Sequence, residues 1–144
     1  MFTDEYFMRK ALNEAQIAFE KDEVPVGAVI VADNRIIARA HNLTETLNDV
    51  TAHAEMQAIT SAAAYIGGKY LNECTLYVTI EPCFMCAGAL HWAQIARIVY
   101  GAPDVKRGYS LFAPSLLHPT TEVTGGVLEK EAAEIMTEFF RKKR

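Results

Sequence analysis

Two short segments constrain this chain most, because together they supply a consistent set of metal ligands. The first is His53-Ala54-Glu55, and the second is Glu81-Pro82-Cys83-Phe84-Met85-Cys86. His53, Cys83 and Cys86 offer one imidazole and two thiols, which are ligand types that zinc prefers. Three protein ligands leave one tetrahedral position for water, as in catalytic rather than structural zinc sites. The fold is therefore expected to bring the two segments into contact.

The first segment is predicted to open a helix that carries Glu55 on its inward face. Thr51 can cap this helix, which runs to about Tyr65. The residues four, seven and eleven positions after Glu55 are all apolar, so Glu55 shares their buried face. His53 lies in the first turn, from which it can point at a site beside the helix end. Glu55 is not a ligand in this arrangement and is therefore the candidate proton carrier.

The second segment is predicted to open another helix. Pro82 suits the first helical position, since its missing N–H costs nothing there. Cys83 and Cys86 are three residues apart and share a face of the helix. In the first turn, the helix dipole and the free N–H groups favour thiolates. Two helix N-termini are therefore expected to meet at one zinc ion.

Each of these residues also has an interpretation without chemistry. A lone C-x-x-C is consistent with a redox pair or with two buried thiols. Glu55 alone is consistent with a first-turn acid that the helix dipole favours, and His53 alone with a core histidine. The joint pattern at two helix starts is more specific and favours catalytic zinc. Cys74 lies in an apolar stretch and is expected to be a buried thiol, with a fourth zinc ligand as the alternative.

Length and composition predict one globular domain over residues 1–144. The chain has 144 residues, of which 51% are hydrophobic, enough for a substantial core. It has no apolar run of about 18 residues and no basic-then-apolar N-terminal segment, so we expect neither a membrane span nor secretion. Three cysteines do not make a disulfide framework, and we expect a cytoplasmic protein.

The charge distribution leaves the type of partner open. A net charge of −4 weakly opposes nucleic-acid binding. Phosphate binding depends on local basic patches, however, and two are present: Lys106-Arg107 in a predicted loop and the run Arg141 to Arg144. The terminal run is equally consistent with a solvated helix end that suits the helix dipole.

The hydrophobic pattern predicts a three-layer α/β/α sandwich with a mixed five-stranded sheet. An amphipathic helix is expected at each end of the chain, and Asp33-Asn34 is expected to turn a hairpin. The predicted order is αββαβαβ(α)βα, and the short bracketed helix is placed near residues 115–118. The predicted strands are residues 24–31, 35–40, 74–80, 98–100 and 122–124. The site is expected where strands give way to helices, at the C-terminal edge of the sheet.

With these features in place, the sequence resembles the cytidine and deoxycytidylate deaminase superfamily, whose zinc enzymes share H-x-E followed by P-C-x-x-C. Within it, the chain is similar to the bacterial tRNA-specific adenosine deaminases, from about Tyr6 to Arg141. The most specific matches are Glu23-Val24-Pro25-Val26-Gly27-Ala28, Thr51-Ala52-His53-Ala54-Glu55 and Leu76-Tyr77-Val78-Thr79 running into Glu81-Pro82-Cys83-Phe84-Met85-Cys86-Ala87-Gly88-Ala89.

The resemblance implies a cytidine deaminase-like fold, a homodimer with its active site near the interface, and a role for each matching residue. His53, Cys83 and Cys86 would hold zinc, and Glu55 would carry protons. The remaining implied residues contact the substrate: Val26 lines the base pocket, Asn42 and the backbone N–H of Ala54 face the flipped base, and Asp104 contacts the adjacent RNA.

The implied activity is zinc-dependent hydrolytic deamination of the wobble adenosine to inosine in a tRNA anticodon loop. The chain departs from the family in the segment after Asp104 and at Leu117-His118-Pro119-Thr120, and Trp92 resembles the guanine deaminase branch. The alternative is therefore deamination of a free base or nucleoside, such as guanine or cytosine. A zinc-stabilised binding module without chemistry would require a fourth protein ligand.

Overall fold

The computed structural model describes residues 1–143, so the expectation for Arg144 lies outside the described residues. Helices and strands follow the predicted order, including the bracketed helix. The elements are α1 (Asp4–Glu20), β1 (Gly27–Ala32), β2 (Arg35–His41), α2 (Ala54–Ile66), β3 (Cys74–Ile80), α3 (Phe84–Ala93), β4 (Arg97–Ala102), α4 (Tyr109–Phe112), β5 (Glu122–Thr124) and α5 (Glu129–Lys142).

The mixed five-stranded sheet is confirmed, with the strand order β2-β1-β3-β4-β5. β1 pairs antiparallel with both β2 and β3, whereas β3, β4 and β5 run parallel. Asp33 and Asn34 form the predicted hairpin turn, and both have positive φ, at 51° and 59°. The N-terminal start of β1 therefore lies at the same edge of the sheet as the C-terminal ends of β2, β3 and β4.

The two faces of the sheet carry separate cores, because alternate residues of each strand point to opposite sides. Ala28 and Ile30 of β1 pack with the face that α2 and α3 cover. Val29 and Val31 point the other way and pack against α1. Near the C-terminal end of β4, Ala132 of α5 completes a smaller cluster on that second side. These layers are the predicted α/β/α sandwich.

Three sequence-based boundaries were wrong. The Thr51 hydroxyl bonds to Asp49 at 2.8 Å, and His53 is the N-cap residue of α2. Pro82 lies before α3, and Cys83 occupies the cap position. The short helix is formed by residues 109–112 rather than 115–118, because Pro114 disfavours helical backbone at the residue before it.

Within residues 1–143, no helix is both long and apolar enough to cross a bilayer.

Gly27 permits the closest approach between α1 and the sheet. A Cβ atom added at Gly27 would lie 2.0 Å from the carbonyl oxygen of Ala11 and 2.4 Å from the nitrogen of Ala15. Both are backbone atoms of a helix whose buried face cannot move without separating from β1. A side chain at this position is therefore incompatible with the observed packing.

We expect Gly27→Ala to lower the free energy of unfolding by about 1–3 kcal/mol, the usual cost of overpacking a core. The matched control is Gly68→Ala, since a Cβ at Gly68 meets nothing within 4 Å. That control should stay within about 0.5 kcal/mol of the parent chain. Urea unfolding followed by circular dichroism measures both, and equal stabilities for the two variants would contradict the packing argument.

Candidate active site

The predicted ligands meet at the sheet edge where β3 ends. β3 leads through residues 81–83 into α3, and the start of α2 lies beside it. His53 and Cys83 are the N-cap residues of these two helices, with extended backbone ψ of 155° and 172°. Neither side chain caps its own helix, so the imidazole and the thiol are free to face each other. The two helix N-termini therefore converge as the sequence predicts.

The three ligand atoms are spaced as one metal ion requires. The Nδ1 atom of His53 lies 3.7 Å from the Sγ of Cys83 and 3.6 Å from the Sγ of Cys86. All three ligand atoms lie within 4.8 Å of one another. Zinc bonds of about 2.0 Å to nitrogen and 2.3 Å to sulfur would place tetrahedral N and S ligands about 3.5 Å apart. The residues present therefore fit a bound divalent metal.

The electrostatics of the group favour one thiolate. A hydrogen bond from the Cys86 thiol, together with the neighbouring imidazole, lowers the pKa of Cys83 to about 4. The same sulfur–sulfur hydrogen bond and burial raise the pKa of Cys86. The hydrogen bond to Cys83 raises the pKa of His53. A lowered pKa at Cys83 favours the deprotonated sulfur that a metal ligand requires.

Glu55 is buried beside the ligands without being one of them. Its exposed fraction is 4%, and it lies in the first turn of α2. Burial, with a smaller contribution from the Cys83 charge, raises the pKa of Glu55 to about 7. A carboxyl group with a pKa near neutrality can both accept and return a proton, which is the requirement for general acid–base catalysis.

The residues implied for substrate contact lie along the same edge. Val26 precedes β1 and Asn42 follows β2, and the Asn42 N–H donates to the Val26 carbonyl at 3.1 Å. Asn42 is buried and Val26 is half-buried. Ala54 is the first residue of α2, so its N–H has no acceptor within the helix. The Oδ1 atom of Asp104 accepts the backbone N–H groups of residues 106 and 107. Their contacts with a substrate stay predictions.

Two residues that support the site were not predicted from the sequence. The amide of Gln57 donates to the carbonyls of His41 and Ala52 at 2.8 and 3.1 Å, and so joins the end of β2 to the segment before α2. Glu23 is fully buried and accepts three hydrogen bonds from residues 45 and 46. The signal for Glu23 was its position next to an apolar strand, where an unpaired acid would be costly.

The other candidate ligands lie elsewhere. His41 pairs with Glu14 at 2.9 Å, and His91 contacts the carbonyl of Leu116 at 2.7 Å. Cys74 is buried at the start of β3, as expected. Among residues 1–143, neither Cys74 nor a further histidine joins the three-ligand group. This observation removes the fourth protein ligand that a purely structural zinc site would need.

Comparison with known proteins assigns the family. The model of the MafB19-like deaminase family matches residues 2–144. A tRNA-specific adenosine deaminase of Agrobacterium fabrum is 49% identical, over 96% of this chain and 95% of its own length. Matches of this extent leave no part of the candidate site outside the similarity.

Solved structures agree with the sequence comparison. A structure from studies of A-to-I editing by tRNA:A34 deaminases at the wobble position superposes with a TM-score of 0.85 and 48% identity, covering 90% of this chain and 98% of that one. A guanine deaminase of Bacillus subtilis has a TM-score of 0.68 and 40% identity, covering 71% of this chain and 66% of that one. The longer and more similar matches decide the assignment: the chain belongs to the MafB19-like deaminase family and, by its identity to curated relatives, to the tRNA-specific adenosine deaminases.

Proposed function

We propose that the chain hydrolytically deaminates the wobble adenosine of a tRNA anticodon loop to inosine. The observation that carries the proposal is the buried Glu55 carboxyl beside three converging ligands, in a chain about half identical to tRNA-specific adenosine deaminases. Residues 1–144 would act as one domain. Because the substrate is a tRNA, the place of action would be the cytoplasm.

The metal in this proposal is zinc, held by His53, Cys83 and Cys86. An imidazole and two thiols suit zinc better than magnesium or calcium, which prefer oxygen ligands. When bound, zinc supplies Lewis acidity that activates water near neutral pH. The closed packing around Cys86, which has no exposed surface, would keep its sulfur from exchange with solvent thiols.

Glu55 would transfer the protons of the reaction. Replacing the amino group on C6 of adenine by oxygen requires both protons of the water to leave its oxygen, one to reach N1 and the other to reach the departing ammonia. A carboxyl group with a pKa of about 7 exchanges protons in both directions at cellular pH. Its position in the first turn of α2, packed in the site, keeps it aimed at the same point throughout.

The base would enter between the start of β1 and the end of β2. Val26 would contact the ring, the Asn42 amide and the Ala54 N–H would hydrogen-bond its polar edge, and Asp104 would contact the neighbouring nucleotide. An anticodon loop is single-stranded, so extruding its base costs little unstacking energy. The backbone bond between residues 42 and 26 supports a common position for the first two contacts.

A second copy of the chain would complete the assembly. Phe84 and Trp92 of α3 are 61% and 80% exposed, so this helix presents two large apolar side chains to solvent. α3 begins at the metal ligands, so a dimer formed through this helix would place each active site near the interface. The homodimer that the family resemblance implies is consistent with this exposure.

Zinc content tests the ligand assignment. We expect one zinc ion per chain in the purified protein, and Cys83→Ala should weaken zinc affinity by more than the ~10–100-fold that outer-shell partners contribute. Cys74→Ala is the matched control, because it removes a buried thiol outside the group. Elemental analysis after dialysis against a chelator provides the measurement. Loss of zinc in Cys74→Ala would instead indicate a four-ligand structural site.

Glu55→Gln tests the proton carrier. The amide keeps the size of the side chain but cannot accept a proton, so kcat should fall by at least ~10²-fold. Zinc content should remain at one ion per chain, since Glu55 is not a ligand. Single-turnover deamination kinetics with parallel metal analysis measure both quantities. Undiminished turnover in this variant would exclude Glu55 from the reaction.

The substrate class is tested by comparing the turnover of an RNA substrate with that of a free base. Inosine should form at the wobble position of an arginine-tRNA anticodon stem-loop, with a KM that rises steeply with salt because phosphate contacts release counterions. The 40% identity to a guanine deaminase makes guanine the comparison substrate. Turnover of guanine without inosine formation, at a KM indifferent to salt, would assign the chain to free bases instead.

A further inference from the structure

Glu81 is a buried acid with no assigned part in the reaction. It follows the last residue of β3, has an exposed fraction of 4%, and its N–H donates to the Ala102 carbonyl at 2.9 Å. Its carboxylate accepts hydrogen bonds from two residues distant in the chain. Oε1 accepts the Asp104 N–H at 3.2 Å, and Oε2 accepts the Ser110 N–H at 3.1 Å and its hydroxyl at 2.6 Å.

These bonds join the two ends of one segment, residues 104–110, which we name the 104–110 loop. The first and last residues of this loop donate to opposite oxygens of a single carboxylate. Within the loop, the Gly108 N–H also donates to the Asp104 carbonyl at 3.0 Å. The loop is therefore held by one hydrogen bond between its own residues and by three hydrogen bonds to the Glu81 carboxylate.

Gly108 shows how tightly the loop packs on that carboxylate. A Cβ atom added at Gly108 would lie 2.5 Å from the Cδ of Glu81. The φ of Gly108 is −60°, so the glycine is required for space rather than for its backbone conformation. Any larger residue would have to displace either the loop or the carboxylate.

The loop also rests directly on the segment that carries the metal ligands. Gly108 forms an isolated β-bridge with Cys83, and the Tyr109 N–H donates to the Pro82 carbonyl at 3.0 Å. Lys106 and Arg107 form the exposed tip of the loop. The bonds to Glu81 thus fix two cations and Asp104 beside the start of α3.

We propose that Glu81 is a positioning residue that staples the 104–110 loop against the metal-ligand segment, so that Lys106 and Arg107 meet the RNA backbone and Asp104 meets the nucleotide beside the reacting base. The substrate in this inference rests on the proposed function. The staple itself rests only on the three hydrogen bonds and the Gly108 contact. A carboxylate suits the task because it only accepts, and all three of its partners donate.

Amide hydrogen exchange tests the staple without any substrate. Glu81→Gln places an NH2 group among donors, so exchange over residues 103–112 should rise at least about tenfold while residues 54–66 stay unchanged. Ser110→Ala, which removes one of the three bonds at an exposed position, should give a smaller rise in the same segment. If Glu81→Gln does not fold, Ser110→Ala tests the same hydrogen bonds by itself. Unchanged exchange over residues 103–112 in Ser110→Ala and in any folded Glu81→Gln would overturn the proposal.

Kinetics test the functional half of the inference. Glu81→Gln should raise KM for the anticodon stem-loop about tenfold, with kcat within about threefold and zinc retained, because it disturbs substrate contact rather than the reacting groups. Glu81→Asp should recover part of the KM, since it restores an acceptor of the same charge.

The matched control is Asp4→Asn. Asp4 also accepts three side-chain hydrogen bonds, two from Arg97 and one from Tyr77, but it lies at the opposite edge of the sheet. The Asp4→Asn variant should have a lower free energy of unfolding and an unchanged KM for the stem-loop. An equal KM rise in Asp4→Asn would show general destabilisation and overturn the positioning role. If the parent chain forms no inosine, the proposed function fails, whereas the exchange experiment still decides the staple.

Discussion

The candidate site depends on the contact between the His53 imidazole and the Cys83 sulfur at the N-termini of two helices. Ionisable groups in a protein interior are costly unless they are paired. Here the His53 Nδ1 atom contacts the sulfurs of both Cys83 and Cys86, and Glu55 lies buried beside them. Among the described residues, no buried side-chain nitrogen or oxygen lacks a hydrogen-bond partner. The side chains around the site are therefore held by pairing with one another.

The sheet topology explains why such distant segments converge. β1 is antiparallel to β3, whereas β4 is parallel to it. The start of β1, the end of β2 and the ends of β3 and β4 consequently share one edge. The segments that leave this edge lead into the two metal-site helices and into the 104–110 loop, which the Cys83–Gly108 bridge joins to the start of α3. A purely parallel sheet would have placed Val26 and the ends of β3 and β4 at opposite edges.

The sequence was sufficient for the order of elements, the hairpin turn, and the convergence of His53, Cys83 and Cys86, because periodicity and ligand chemistry are local signals. It was not sufficient for the helix boundaries. Thr51 and Pro82 have the stronger cap and first-turn propensities, yet the cap positions belong to His53 and Cys83. Helix-cap propensities reflect how well a residue suits the end of its own helix. The His53 and Cys83 side chains make no cap hydrogen bond and instead contact each other.

Buried acids were the other part that sequence reasoning could not place. Glu23 and Glu81 have the same role: each carboxylate accepts hydrogen bonds from backbone N–H groups of a loop elsewhere in the chain. The hydrogen-bond partners are 22 to 29 residues away in the chain, so the hydrophobic periodicity of a single helix or strand cannot predict them. The only local signal is an acid adjoining an apolar strand.

These acids also change the meaning of the net charge. The value of −4 counts Glu23, Glu55 and Glu81 as if they faced solvent, although all three are buried. Two of them are satisfied by N–H and O–H donors, and the pKa of Glu55 is about 7. Burial does not remove the charges of Glu23 and Glu81, but both carboxylates face loop donors rather than solvent, whereas Lys106 and Arg107 stand exposed beside the site. Phosphate recognition is governed by such local cations, so the acidic composition does not oppose an RNA substrate.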